Sequence, residues 1–143
     1  MTLDALFWFL HLPALAAWIL LLAPHDVRRI AAAKGAGLLL ALAYCALFFA
    51  GRGASTLVAD YSLEGIAEFF AVPGLRLAGW THYLVLDLWA GIWESEEAAR
   101  RGMPSWQLRL SLLLTACVGP FGLVVFLLLG WIRGILQARP GQS

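Results

Sequence analysis

The chain has 143 residues, 62% of them hydrophobic and 13% charged, with a formal net charge of +1 and a mean hydropathy of +0.80. This balance excludes a disordered chain, whose apolar content is low, and gives no basic footprint for nucleic acid. It points to an integral membrane protein, in which a hydrocarbon core about 30 Å thick is crossed by about 20 mostly apolar residues.

The first expected span is 5–23, interrupted only by His11 and Pro13 and followed by the polar run Pro24, His25, Asp26, Arg28, Arg29. It is longer than the hydrophobic region of a signal peptide and no basic residue precedes it, so it is read as part of the mature protein. His11 reads as a satisfied core histidine beside the Pro13 kink, and His25 as a loop residue. The second span is 31–50. Lys34 can snorkel to its edge, and Gly35 and Gly37 let a neighbouring helix approach.

Between the second and third spans, Asp60, Glu64 and Glu68 fall at helical spacing, with Leu63, Ile66, Phe69 and Phe70 on other faces. The segment 62–71 is too short to cross a bilayer. It is expected to be an amphipathic helix lying in the interface, capped by Ser62 and stopped by Pro73-Gly74. Its acidic stripe reads first as a wetted face.

The third span, 77–93, is the least hydrophobic, because it carries Thr81, His82 and Asp87. A carboxylate at mid-bilayer depth costs about 3 kcal/mol on insertion scales, so such a group faces a protein interior or a wet cavity. Asp87 is therefore the leading site candidate. Trp80, Tyr83, Asp87, Ala90, Gly91 and Glu94 share one helical stripe, whereas His82, Leu86, Trp89 and Trp93 form another. His82 and Asp87 lie about 140° apart around the helix and do not make a ready metal pair. Two readings of Asp87 stay open. It clamps the bundle through Tyr83, a histidine of another helix or backbone amides near Pro120, or it takes part in ligand binding or proton transfer. Glu94, Glu96 and Glu97 read as a solvated helix end, with Glu96 to Arg100 and Glu97 to Arg101 at i, i+4 spacing.

The fourth span, 110–132, has 23 residues without a charge. Pro120, between Gly119 and Gly122, is expected to bend it or break its hydrogen-bond ladder at membrane depth. The expected fold is thus all-α: a single transmembrane domain over 1–143, an integral membrane four-helix bundle with a short interfacial amphipathic helix between spans two and three. Lys and Arg in the loops count six on one side and four on the other, which places both termini outside the cytoplasm.

Three histidines, none at i, i+3 or i, i+4 spacing, give no helical metal site, and no glycine-rich phosphate loop follows a strand. No metal and no cofactor is expected. No serine or cysteine has an evident neighbouring base, and Cys45 and Cys117 read as small apolar thiols within spans. Most of the seven tryptophans suit interfacial anchoring. Trp80, Trp89 and Trp93 with Tyr83 could also form an aromatic wall for a flat hydrophobic ligand.

The ordered motifs Trp80-Thr81-His82, Asp87-Leu88, Gly91 and Gly119-Pro120-Phe121-Gly122-Leu123, with Trp18 and Pro24 ahead of them, resemble the abscisic-acid-deficient-four-like membrane family. The likeness covers most of the chain and is most specific from Gly79 to Leu128. Plant members are required for neoxanthin formation from violaxanthin. The resemblance implies a role in xanthophyll or isoprenoid metabolism, and the absence of an Arg- and Ser-rich leader suggests a bacterial type in an inner membrane. Opening an epoxide and losing a proton to give an allene is an isomerisation that needs an acid and a base but no redox cofactor. On this reading Asp87 is the acid or base and His82 bonds the oxygen or relays the proton. Trp80, Tyr83, Trp89, Gly91, Gly119 and Pro120 would border the ligand, a carotenoid or lipid. The competing class is a non-enzymatic pigment- or lipid-binding subunit of a homo- or hetero-oligomeric assembly. A transporter is the third.

Overall fold

The computed structural model describes residues 2–52 and 62–137. These residues form six helices: α1 (Leu3–Leu22), α2 (Val27–Arg52), α3 (Leu63–Ala71), α4 (Pro73–Arg100), α5 (Ser105–Val118) and α6 (Pro120–Gln137). No strand occurs among them. Asp60, the first member of the acidic stripe, lies outside the described residues.

Local chemistry sets the helix ends. The Thr2 hydroxyl accepts from the Ala5 amide, and the Asp26 carboxylate accepts from the Arg28 amide at 2.7 Å while its carbonyl takes the first bond of α2. Ser62 caps α3 by accepting from the Gly65 amide at 3.1 Å, as its position before Leu63 predicts. Pro73-Gly74 stops α3 at Ala71, as expected, and also opens α4. Proline needs no amide partner at a first helical position, and its fixed φ suits that turn.

α4 is longer than the expected span and runs on to Arg100. Its end is a left-handed turn at Gly102 (φ 60°), with the Met103 amide bonded to the Ala98 carbonyl and the Gly102 amide to that of Ala99. The expected fourth span is two helices. Gly119, at φ 57° and ψ −115°, ends α5, and Pro120 starts α6.

α4 packs against each of the other five helices, and α5 and α6 form a hairpin beside it. Leu88 and Ile92 of α4, Leu40 of α2, Leu112 of α5 and Phe126 of α6 are essentially inaccessible. Two close approaches depend on glycine. A Cβ on Gly91 would stand 2.6 Å from the Trp18 ring, and one on Gly122 would stand 2.1 Å from the Thr115 backbone nitrogen.

The outside is as apolar as the inside. Leu12, Leu15 and Ile19 of α1 and Leu38, Leu39 and Leu42 of α2 are all about 60% exposed. Helices apolar around their whole circumference belong either in a large core or in a membrane. α1 and residues Val27–Gly51 of α2 are long and apolar enough to cross one, and Pro120–Gly134 is a shorter apolar helix. Cys45 and Cys117 are free and lie on the outer surface.

Candidate functional site

The break between α5 and α6 puts a glycine where α4 carries its acid. Gly119 has a backbone conformation that a side chain rarely adopts, and a Cβ there would stand 2.9 Å from Asp87 Oδ1 and 3.3 Å from Oδ2. The carboxylate therefore lies directly against the break. Asp87 is half-buried and, among the described residues, nothing hydrogen-bonds it. The clamp through Tyr83, a histidine or freed backbone amides is not made in this structure. The Gly119 amide itself bonds to the Thr115 carbonyl at 2.9 Å.

Asp87 opens onto a cavity of about 410 Å³ lined by His82, Tyr83, Leu86, Asp87, Ala90, Gly119, Pro120 and Leu123. His82 and Asp87, on different helical stripes, thus reach one cavity from its two sides, and the imidazole also packs on the Tyr44 ring at 5.4 Å. A second cavity, of about 320 Å³, is lined by Phe70, Arg76, Gly79, Trp80, His82 and Tyr83. His82 and Tyr83 border both, so the two cavities are neighbours along α4 between Arg76 and Ala90.

The remaining residues singled out from the sequence are placed differently. Trp80 borders the second cavity and donates its indole N–H to His11 Nε2 at 3.0 Å. An indole nitrogen can only donate, so Nε2 accepts, and the His11 proton sits on Nδ1, which donates to the Phe7 carbonyl at 2.6 Å. Trp89 packs instead on Gly37 of α2, and Gly91 is a notch filled by Trp18.

Glu94 is the residue that the sequence concealed. It is not part of a solvated helix end but fully buried, with Oε1 accepting from the Thr115 hydroxyl at 2.7 Å and Oε2 without a partner among the described residues. Its neighbours explain why it looked ordinary. Glu97 is also nearly inaccessible and takes both Arg100 and Arg101, while Glu96 pairs with Lys34 of α2 at 2.7 Å rather than with Arg100. The Arg100 guanidinium, and Arg101 beside it, hold the Glu97 carboxyl below its ordinary range.

No group of three or more potential metal ligands occurs among the described residues. The model for the ABA DEFICIENT 4-like family matches residues 5–126. The chain belongs to that family. No curated protein and no solved structure matches it. The family match includes the lining residues of both cavities.

Proposed function

We propose that this is an integral membrane protein in which α1, α2 and α4 cross the bilayer as a helix bundle, the α5–α6 hairpin enters it from the side of the α4–α5 turn, and α3 lies in the interface. On this proposal it acts on an elongated isoprenoid by cofactor-independent acid/base isomerisation. Family membership supports the link to neoxanthin synthesis and so to an epoxycarotenoid as substrate class. The exposed leucines and isoleucines of α1 and α2 support the membrane setting.

The observation that carries the chemistry is the Asp87 carboxylate, unpartnered against Gly119 in a largely apolar cavity shared with His82 and Tyr83. A carboxyl group with no fixed bond to a neighbour is free to give or take a proton from a bound molecule. Asp87 is the acid or base, His82 bonds the oxygen of the opening ring, and Tyr83 and Trp80 border the polyene along the two cavities. Gly119 lets the carboxylate and the ligand meet at the helix break, and Pro120 fixes that break.

The cavities equally support a second reading, in which the chain binds a pigment or lipid without transforming it and serves a larger membrane assembly. One preparation separates the two. The gently purified protein is extracted for mass spectrometry of its pigments and lipids, then incubated with an epoxycarotenoid. Conversion to the isomer establishes the enzyme, and a co-purified isoprenoid with no conversion establishes the binding subunit. No bound isoprenoid and no conversion overturn both.

A further inference from the structure

α5 carries one polar stripe through an otherwise apolar helix. Gln107, Ser111 and Thr115 fall four residues apart and continue in register to Gly119, a run of about 18 Å along one face. Ser111 and Thr115 are fully buried, and the stripe meets α4 at Glu94. One end reaches Gly119, against which the Asp87 carboxylate rests. The other end reaches the α4–α5 turn, where Glu97, Arg100 and Arg101 gather.

Among the described residues, two buried oxygens here, Glu94 Oε2 and Gln107 Oε1, have no hydrogen-bond partner. Orphan polar atoms in a packed interior are satisfied by water where there is room for it, and such atoms at two stations of one face mark a wet seam. The hydroxyls are oriented to suit. Ser111 donates to the Gln107 carbonyl and Thr115 donates to Glu94, which leaves lone pairs on each hydroxyl oxygen free to accept.

We infer that the α4–α5 seam is a hydrated proton path joining the Asp87 cavity to the α4–α5 turn, with Glu94 as its intermediate station. The inference rests on the reading of Asp87 as an acid/base group and adds the route by which its proton leaves and returns. A proton released by Asp87 passes through water to Thr115 Oγ1 as the Thr115 proton passes to Glu94 Oε1. Glu94, which starts protonated on Oε2, releases that proton to water on the Gln107 side in the same step and is left protonated on Oε1. At each station one O–H bond forms and one breaks, and the reverse sequence recharges Asp87. No oxidant, reductant or further reactant enters.

The test is infrared spectroscopy of the full chain in lipid nanodiscs, following the carboxylic C=O band of Glu94 after transfer into D2O. The band is identified by its loss in Glu94→Gln. The path requires exchange within seconds in the native protein. Exchange should be slowed roughly tenfold or more in Ser111→Ala, which removes the hydroxyl between Glu94 and the α4–α5 turn, the worth of about one hydrogen bond. Exchange over hours in the native protein, no band lost in Glu94→Gln, or native exchange in Ser111→Ala overturns the path. Should Ser111→Ala not fold, the native rate alone decides: within seconds upholds the path and over hours overturns it. Turnover is a separate readout. Rapid Glu94 exchange with turnover indifferent to Asp87→Asn removes the acid/base reading, whereas slow exchange with Asp87 essential removes only the path.

Discussion

Asp87 Oδ1 stands 2.9 Å from the point where a Cβ on Gly119 would be, so the acid of α4 occupies the space that any larger residue at the helix break would need. Gly119 also holds φ at 57°. Gly119→Ala is therefore strained in its backbone and crowded in its side chain, at a cost of about 1–3 kcal/mol. Thermal unfolding in detergent should show the loss. Bound ligand should fall further than stability alone accounts for, because the carboxylate is displaced.

Glycines elsewhere should respond according to what they touch. Gly122→Ala drives a methyl group into the Thr115 backbone at 2.1 Å, whereas Gly35 has nothing within 4 Å. The first change should destabilise the α5–α6 hairpin by about 1–3 kcal/mol, as overpacking does. Gly35→Ala should stabilise α2 by about 0.5–1 kcal/mol through backbone entropy. Equal melting shifts for the two would contradict the packing described.

Glu97 gives the α4–α5 turn a pH dependence. Arg100 first, and Arg101 with it, lower its folded pKa below the ordinary 4.5. A group with a depressed folded value adds stability above its unfolded pKa and loses it as pH falls through the folded one. The melting temperature should thus decline as pH drops below about 4.5, and Glu97→Gln should lower stability at neutral pH while flattening that acid limb. An acid limb unchanged in Glu97→Gln would show that other groups set it.

The bond from Trp80 to His11 joins α4 to α1 across 69 residues of sequence. His11→Phe and Trp80→Phe, measured singly and together, should show a coupling of about 0.5–1.5 kcal/mol, the net worth of one hydrogen bond. Additive effects would mean that the two rings only touch.

Much of this fold could be read locally. Ser62 announced a cap, Pro120 beside Gly119 announced a break, and the lone carboxylate among apolar residues announced Asp87. Pro73 announced the end of α3 but not that α4 starts there, because a stop signal says nothing of the helical course of the residues after it. Glu94 was hidden for a different reason. Beside Glu96, Glu97 and two arginines it looks like a wet helix end, and what buries it is Thr115, 21 residues further on. The Lys34–Glu96 pair spans 62 residues and leaves no periodic trace. The His82–Asp87 cavity was only half legible, since two stripes 140° apart meet in one space only when another helix end, here Gly119-Pro120, closes it.

The most direct measurement is the turnover of an epoxycarotenoid by Asp87→Asn protein, purified at normal level and reconstituted in lipid. Asparagine keeps the shape of the side chain against Gly119 and removes its acid. The proposed acid/base role predicts that isomer formation falls by about 10²-fold or more, with bound ligand retained. Product formation at the native rate would contradict it and leave the cavity as a binding site alone.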